Sequence, residues 1–331
     1  MDYLKRVERE EKMTKKMTMK QIAELAGCSI SQVSRVLNEK ASVATEVRER
    51  VREIAKAHHF RINVTSHHVR ICCLKNELGY FYEHLLAGIE KACTKRGWFL
   101  YVVNRIIGPE ELGEQFFDGY FCVDAGKEFQ KEWIKYQQIP LVMLNSYGVH
   151  GGEVCSVEPD PYDGSMKVLR HLKSLGHRKI ARINYCRDLM RGYAEFMLAA
   201  QKLGLSEVVD VHDRTFSPDR FLKDVEALVS SGVTALFIIH QHLALQSLQL
   251  LKSRGYRIPQ DLSVVTYMVN RVSEFCDPPA TTLEFDYDGI GEKACEIMAM
   301  RLQGLPCPAK EIRVPSLPLQ IRQSTGPVSK R

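Results

Sequence analysis

The stretch TMKQIAELAGCSISQVSRVLN, residues 18–38, decides the fold of the N-terminal part of the chain. Thr18 and Gln21 have the S/T-x-x-E/Q spacing of a capping box, and apolar residues follow them at helical spacing. Gly27 suits the end of that helix, because glycine adopts the left-handed backbone conformation without a steric penalty. A second capping box of the same spacing starts at Ser29. The pattern predicts two short helices joined by a tight glycine turn.

A third helix follows, and we expect Thr45 to cap it. Its apolar residues recur at i, i+4, i+7 and i+8 (Val47, Val51, Ile54 and Ala55). Three short helices of which the first two meet at a tight turn indicate a helix-turn-helix. A helical bundle without a nucleic-acid role would share this periodicity. The hydroxyls, amides and arginine on the outer side of the second helix favour DNA, since such groups bind phosphate oxygens and base edges.

The distribution of charge also favours DNA. The chain has 46 basic and 40 acidic residues, a net charge of +6. Residues 1–70 contain 15 of the basic and 9 of the acidic residues, so this part carries the whole excess and the remainder is neutral. A basic module joined to a neutral body is typical of a DNA-binding sensor.

The segment A-E-L-A-G-C-S-I-S-Q-V-S-R-V-L-N resembles the DNA-binding headpiece of the LacI/GalR family of bacterial repressors. The resemblance implies that Ile30 and Ser31 form the variable base-reading pair and that Arg35 is the base-contacting arginine. It also implies a set of phosphate-contacting residues, namely Ser29, Gln32, Ser34, Asn38 and Asn63. The expected partner is double-stranded operator DNA with a pseudo-palindromic sequence, bound by a homodimer.

The segment after the third helix departs from the family pattern. Relatives carry aromatic-x-Pro-Asn and a hinge helix whose leucine enters the minor groove, whereas residues 60–63 read Phe-Arg-Ile-Asn. Val69 takes the position of that leucine, and His67 and His68 precede it, so we expect these three residues at the minor groove. A shorter, β-branched wedge unstacks a base step less, which predicts a smaller DNA bend.

Length and composition limit the remaining possibilities. With 331 residues and 45% hydrophobic content, the chain is expected to form more than one domain. No apolar run approaches the ~20 residues that span a bilayer, so we expect no membrane association. The ten cysteines contain no C-x-x-C pair, which favours reduced thiols in a cytoplasmic protein. The histidine pairs lack partners at ligand spacing and no catalytic motif occurs, which predicts no metal, no cofactor and no enzymatic activity.

Beyond residue 70, strands and helices alternate. The pattern predicts strands at 70–74, 99–103, 120–123, 141–144, 179–184, 235–239 and 262–267. Helices are predicted at 82–96, 131–137, 162–175, 192–203, 219–231 and 243–254. Such alternation predicts an α/β core of two doubly wound subdomains, in which ligands bind at the carboxyl ends of the parallel strands.

This core resembles the periplasmic-binding-protein-like core of the same family. The matching segments include G-H-R-K-I at residues 176–180 and R-Q-S-T at residues 322–325. The short segment between the first helix of the core and Phe-Asp-Gly-Tyr (117–120) resembles that of the evolved-β-galactosidase repressor subgroup. The implied organisation is a disordered extension (1–16), a helix-turn-helix domain (17–62), a hinge (63–70) and the effector-binding and dimerisation core (71–331). Within this core the first subdomain comprises 71–157 and 284–312, and the second comprises 158–283 and 313–331.

The residues that hold a sugar in this family are mostly replaced. Leu189 stands in place of an arginine, His240-Gln241 replaces an Asn-Asp pair, and Met268 replaces an acidic residue. The candidate effector-binding residues are Tyr80, Phe81, Asn145, Arg187, Arg191, His240, Gln241 and Met268. We expect a sugar or glycoside as the small-molecule effector. Two alternatives remain open: a cleft that no longer responds to a sugar, or a cytosolic sugar-binding protein with a non-functional headpiece.

Overall fold

The computed structural model describes residues 18–37, 43–58, 60, 69–75, 79–105, 117–124, 140–146, 154–185, 192–213 and 216–329. The predicted disordered extension (1–16) and the predicted helix at 131–137 lie outside these residues.

The N-terminal domain consists of three helices, as the sequence predicts. They are α1 (Met19–Ala26), α2 (Ile30–Leu37) and α3 (Thr45–Ala57). One apolar cluster joins them, formed by Ile22, Ala23, Ala26, Val33, Val36, Val51 and Ala55. A core of small aliphatic side chains lets three short helices pack closely, and this fixes the outward face of α2.

Both predicted capping boxes are present. The Thr18 hydroxyl accepts the Gln21 amide at 3.3 Å, and the Gln21 side-chain oxygen accepts the Thr18 amide at 2.8 Å. Ser29 and Gln32 form the same reciprocal pair at 3.2 and 2.9 Å. Gly27 has φ 60° and ends α1 in the left-handed conformation, as expected. These contacts satisfy backbone donors that the first turn of a helix leaves without partners.

The start of α3 differs from the prediction by one residue. Thr45 is the first residue of the helix, and the amide of Arg48 donates to the carbonyl of Ala44 at 3.0 Å. The N-cap residue is the one whose carbonyl accepts the first helical hydrogen bond, which makes it Ala44. The prediction that Thr45 caps α3 is therefore wrong.

The first subdomain is built on a parallel sheet of six strands in the order β11-β5-β4-β3-β1-β2. These are β1 (Arg70–Leu74), β2 (Phe99–Val103), β3 (Gly119–Val123), β4 (Leu141–Leu144), β5 (Cys155–Pro159) and β11 (Glu311–Val314). Helices α4 (Tyr80–Lys95) and α10 (Tyr287–Leu302) contribute to one core with the sheet, which includes Ile71, Leu85, Ile89, Phe121, Ala294 and Met298.

The second subdomain contains a parallel sheet of five strands in the order β10-β9-β8-β6-β7. These are β6 (Lys179–Tyr185), β7 (Glu207–Asp213), β8 (Ala235–Ile238), β9 (Ser263–Tyr267) and β10 (Thr281–Leu283). The helices are α5 (Pro161–Ser174), α6 (Tyr193–Lys202), α7 (Pro218–Ser230), α8 (Gln241–Ser253) and the short α9 (Asn270–Glu274). Helices α5 and α6 cover one face of the sheet, and α7 and α8 cover the other.

The chain passes between the two sheets after β5, after β10 and after β11. Strands β5 and β11 stay in the first sheet as far as Pro159 and Val314. The sequence-based boundaries at 157 and 312 fall two residues before these strand ends and remain predictions. Because three connections join the subdomains, the carboxyl ends of both sheets lie at the same junction.

Helices α4 and α10 pack unusually closely. A Cβ on Gly88 would lie well within 3.0 Å of the backbone carbonyl of Tyr287, and a Cβ on Gly291 would meet the Gly88 carbonyl in the same way. Glycine at both positions lets the two backbones touch. No helix in the described ranges is long and apolar enough to cross a membrane.

Candidate nucleic-acid interface and ligand cleft

Helix α2 buries one side and exposes the side that the sequence assigned to base reading. Val33 and Val36 are fully packed in the headpiece core. The predicted base-reading residues Ile30, Ser31 and Arg35 are all exposed, and Ile30 keeps 47% of its surface accessible. A large aliphatic side chain exposed at the first turn of a capped helix has no role in the headpiece core.

The exposed side chains match the chemistry of a major groove. Among the described residues none forms an ion pair with Arg35, so its guanidinium is available to bind guanine O6 and N7 together. Ser31 offers a hydroxyl that donates and accepts, and Ile30 offers an apolar surface for a thymine methyl group. The three residues lie within two turns of one helix and therefore face the same few base pairs.

Two of the predicted phosphate-contacting residues have a second role. The Ser29 hydroxyl donates to the Gln32 side-chain oxygen at 3.1 Å and accepts the Gln32 amide at 3.2 Å. Gln32 therefore retains its side-chain N–H groups for a phosphate, at the end of the helix where free backbone N–H groups also attract anions. Ser34 is half-buried, while Asn38 and Asn63 lie outside the described residues.

The structure places the hinge residue Val69 against the first subdomain. Its side chain packs on the core of that subdomain, and its carbonyl accepts the Phe99 amide at 2.8 Å. Strand β1 starts at the next residue, so no spacer separates Val69 from the sheet. Insertion of Val69 into a minor groove would require the loss of these contacts. His67 and His68 lie outside the described residues.

Within the described part of the chain, three non-glycine residues adopt positive φ angles, and each follows a parallel strand. They are Asp124 (φ 55°) after β3, Asn145 (φ 52°) after β4 and His240 (φ 76°) after β8. The left-handed conformation costs an L-residue roughly 1–2 kcal/mol. Such strained positions are typical of functional sites, and the carboxyl ends of strands are where α/β folds bind ligands.

The carboxyl edge of the first sheet is polar and largely buried. The Tyr82 hydroxyl on α4 donates to the Asp124 carboxylate at 2.8 Å. Lys75, directly after β1, is 5% exposed, and Asn145 is 7% exposed. Tyr82, Asp124 and Lys75 were not among the sequence-based candidates. The sequence could have indicated Lys75 and Asp124, because each is a charged residue that directly follows a buried strand.

On the second sheet the predicted residues divide into two groups. His240 Nε2 lies 3.1 Å from Asn184 Oδ1, and the Gln241 side-chain oxygen accepts the Val269 amide at 3.1 Å. Met268, by contrast, is 3% exposed and packs in the apolar core beneath α8. Its burial leaves little of its surface accessible to a ligand. Arg187 and Arg191 lie outside the described residues.

A row of aromatic rings crosses the junction of the subdomains. Tyr267, at the end of β9, stacks on Phe285 with ring centroids 4.5 Å apart. Phe285 in turn meets Phe81, near the start of α4, edge to face at 5.6 Å. Phe81 is half-buried, and Tyr80 is exposed and lies beside His84 with a centroid distance of 5.3 Å. We call Phe81, Phe285 and Tyr267 the aromatic bridge.

Glu284 lies beside the aromatic bridge, on the segment that leaves the second sheet. Its carboxylate accepts the Asn270 amide at 3.2 Å. Burial raises the pKa of Glu284 above its usual value, while this hydrogen bond and the nearby His84 and Arg322 oppose the shift. A carboxylate kept in a partly dry junction is a candidate acceptor for ligand hydroxyls. No group of three or more metal-ligating side chains occurs within the described part of the chain.

Comparisons with known proteins agree with this geometry. Residues 18–63 match the model of the bacterial regulatory proteins of the lacI family, and residues 169–325 match the periplasmic binding protein-like domain. The chain is 25% identical over 311 residues to the HTH-type transcriptional repressor PurR of Vibrio cholerae serotype O1 (strain M66-2). That alignment covers 86% of this chain and 91% of the relative.

Solved structures show the same fold. A complex of the transcriptional regulator CelR with cellobiose has a TM-score of 0.63 at 23% identity, covering 93% of this chain and 99% of that one. The lac repressor dimer bound to operator and the anti-inducer ONPF has a TM-score of 0.64 at 19% identity, covering 94% of this chain and 100% of that one. The predicted headpiece and two-subdomain α/β core are thereby confirmed. The chain belongs to the LacI family of bacterial regulatory proteins, as a DNA-binding transcriptional repressor.

Proposed function

We propose that the protein is a homodimeric repressor that acts in the cytoplasm and reads a pseudo-palindromic operator with Ile30, Ser31 and Arg35 of α2. The observation that carries this proposal is the exposed face of α2, which presents an aliphatic, a hydroxyl and a guanidinium group from a helix fixed by its capping box. One such helix reads only a few base pairs. Two copies about a dyad add their contacts over two half-sites.

Exposed apolar residues support the homodimer. Strand β2 forms an edge of the first sheet, and Phe99, Tyr101 and Val102 are 49%, 46% and 43% exposed on it. In the second subdomain Phe275, after α9, is 88% exposed. Exposed aromatic residues on an edge strand favour association, and a second copy of the chain would cover them. The twofold arrangement would also present the two headpieces to a palindromic site.

The effector proposed for the cleft is a sugar or glycoside. The CelR complex holds cellobiose, and the set proposed for this chain combines hydroxyl-binding groups of Asn145, His240 and Gln241 with the aromatic residues Tyr80 and Phe81. Amide and imidazole groups bond hydroxyls, and aromatic faces cover the apolar side of a sugar ring. Arg187 and Arg191 complete the proposed set. Met268 contributes only to the wall behind the proposed effector site, because its side chain is buried.

A second candidate is a repressor whose cleft no longer binds a sugar. The observation in its favour is that His240 and Gln241 already bond Asn184 and the Val269 amide, while the position of the family's acidic residue is the buried Met268. A ligand would have to replace these bonds, and each replacement reduces the net gain on binding.

Selection from random double-stranded oligonucleotides by the full-length protein tests both candidates. The selection is run at physiological salt, without and with a panel of glycosides and free sugars. The proposal expects an enriched palindrome whose recovery falls or rises with one sugar. An enriched palindrome that responds to none supports the second candidate. No enriched sequence would contradict the operator-binding function, since non-specific DNA binding is electrostatic and selects nothing.

A further inference from the structure

Two cysteines from distant parts of the sequence meet at the contact between α4 and α10. Cys93 and Cys295 are 202 positions apart, and their sulfur atoms lie 3.6 Å from each other. Both side chains are buried in the core of the first subdomain. Neither the headpiece nor the cleft uses them. The first subdomain holds a second pair of thiols in contact, Cys155 and Cys307, which is the internal comparison for this one.

The surroundings hold the two helices in a fixed register. Lys91 pairs with Asp288, and Glu292 accepts Lys95 at 2.8 Å and Arg96 at 2.7 Å. The glycine contact at Gly88 and Gly291, described above, brings the helix backbones together. Cys295 lies one turn beyond Glu292, so the ion pairs and the glycine contact maintain the approach of the two sulfur atoms.

The two thiols are not equivalent. The hydrogen bond from Cys295 and the positive charge of Arg96 lower the pKa of Cys93, against the opposing effect of its burial. The same hydrogen bond and burial raise the pKa of Cys295. Arg96 follows Cys93 at the end of the same helix and its amide donates to the Cys93 carbonyl at 3.0 Å, and a nearby guanidinium favours a thiolate, so oxidation is expected to start at Cys93. Burial alone raises the pKa of Cys72 to about 12, which makes it a poor nucleophile.

We propose that Cys93 and Cys295 form an oxidisable dithiol, and that hydrogen peroxide converts it into a disulfide joining α4 to α10. In the first step the Cys93 thiolate attacks one peroxide oxygen and hydroxide leaves, giving a sulfenic acid. In the second step the Cys295 sulfur displaces the sulfenic oxygen, which leaves as water with the thiol proton. Each sulfur is oxidised by one electron and the peroxide is reduced by two.

The disulfide has a structural consequence. It links the helix that carries Phe81 near its start to the helix that begins directly after the aromatic bridge. Because it closes a long loop of the chain, it restricts the unfolded state strongly and raises the midpoint of thermal unfolding. The first subdomain therefore becomes more rigid on oxidation, and a thiol reductant reverses the change.

Peptide mapping of the full-length protein tests this inference without any substitution. The protein is treated with hydrogen peroxide, alkylated without reduction, digested and analysed by mass spectrometry. The expected result is a peptide pair cross-linked through Cys93 and Cys295, two fewer alkylated thiols and a raised midpoint, all reversed by dithiothreitol. Recovery of both residues as alkylated thiols, or a cross-link of Cys155 to Cys307 alone, would overturn the proposal.

A variant provides the matched control. Cys295→Ala is expected to abolish the cross-link and the rise in the midpoint, while Cys122→Ala, also at a buried position, leaves both unchanged. If Cys295→Ala does not fold, the mapping of the unmodified protein remains decisive. A peroxide-induced rise in the midpoint that persists in a folded Cys295→Ala variant would show that another site is responsible.

Discussion

The rings of Tyr267 and Phe285 stack at 4.5 Å with an interplanar angle of 21°, and this contact joins the end of a strand in the second subdomain to the segment that leads into the first. Phe81 extends the contact to α4. A relative movement of the subdomains therefore has to slide or break these aromatic pairs. We therefore expect a ligand that moves the subdomains to act through the aromatic bridge.

Replacing the central ring weakens this junction. Phe285→Leu keeps an apolar group but loses the ring contacts with Tyr267, Phe81 and Tyr287, and each aromatic pair contributes ~1 kcal/mol beyond its buried area. We expect the free energy of unfolding in urea to fall by about 2–3 kcal/mol. The control Leu198→Ala shortens a side chain that is 55% exposed and leaves the midpoint nearly unchanged. Equal losses in the two variants would contradict the role given to Phe285.

The second capping box stabilises α2 independently of base reading. Ser29→Ala removes the hydroxyl that accepts the Gln32 amide, and loss of an N-cap costs about 1 kcal/mol. Hydrogen exchange of the α2 amides is expected to accelerate roughly fivefold. Ser31→Ala, at the neighbouring exposed position, is the control: it leaves exchange unchanged but alters the selected DNA sequence. Faster exchange in Ser31→Ala would mean that this residue is structural.

The contact between α4 and α10 tolerates no side chain at Gly88. Because a Cβ there would overlap the carbonyl of Tyr287, Gly88→Ala forces the two backbones apart, and overpacking of this kind costs about 3 kcal/mol. Gly204→Ala is the matched control. Its Cβ meets nothing within 4 Å, although φ is 66°, so only the backbone conformation adds a cost of about 1 kcal/mol. The free energy of unfolding in urea is measured for both variants. Similar losses in the two would contradict the close contact between α4 and α10.

Stability is expected to fall as the pH is lowered below neutral. His177 is 2% exposed and lies 3.0 Å from the Gly326 carbonyl and 2.8 Å from the Thr234 hydroxyl, so it connects the C-terminal segment to the second subdomain. Burial lowers the pKa of His177, and the hydrogen bond to Gly326 opposes this only in part. The unfolded chain then binds a proton more readily than the folded protein below the unfolded pKa of about 6.5.

The buried His177 therefore lowers the free energy of unfolding at acidic pH. The contribution of a buried neutral histidine is complete above pH ~6.5 and decreases as the pH falls toward the folded pKa. We expect the urea midpoint to decrease between pH 7 and 5, and His177→Gln to flatten part of that slope. His242→Gln, at an exposed position, leaves the slope unchanged. An unaltered slope in His177→Gln would show that other groups, such as the half-buried His171, dominate.

Sequence periodicity predicted elements whose apolar residues stand together. The predicted strands at 70–74, 99–103 and 141–144 coincide with β1, β2 and β4. Strand β7 was missed because Asp210 interrupts its apolar residues; in the structure Asp210 pairs with Arg182 of the neighbouring strand at 2.6 Å. The sequence alone does not reveal a buried ion pair, since each charged residue by itself indicates a surface position.

The reading face of α2 and the ligand cleft also differ in how far the sequence predicts them. The reading face of α2 follows from local spacing, because helical geometry places Ile30, Ser31 and Arg35 together. The cleft depends on tertiary contacts between strands that are distant in sequence. Resemblance placed Met268 there, but its side chain turns into the apolar core, whereas the left-handed Asp124 was not predicted. Strain and side-chain direction at a strand end are determined by the packing around it.

The most direct test of the central claim is the affinity of the protein for a selected palindromic duplex, compared between the unmodified protein, Arg35→Lys and Lys202→Ala. Arg35→Lys keeps the charge but replaces the planar guanidinium fork, whose paired N–H groups match guanine O6 and N7, by a flexible ammonium group, whereas Lys202→Ala removes one exposed positive charge from the second subdomain. At physiological salt, fluorescence anisotropy is expected to show a loss of at least about tenfold in Arg35→Lys, confined to the selected sequence, and none in Lys202→Ala. Equal affinity of Arg35→Lys and the unmodified protein for the selected duplex would contradict base reading by α2.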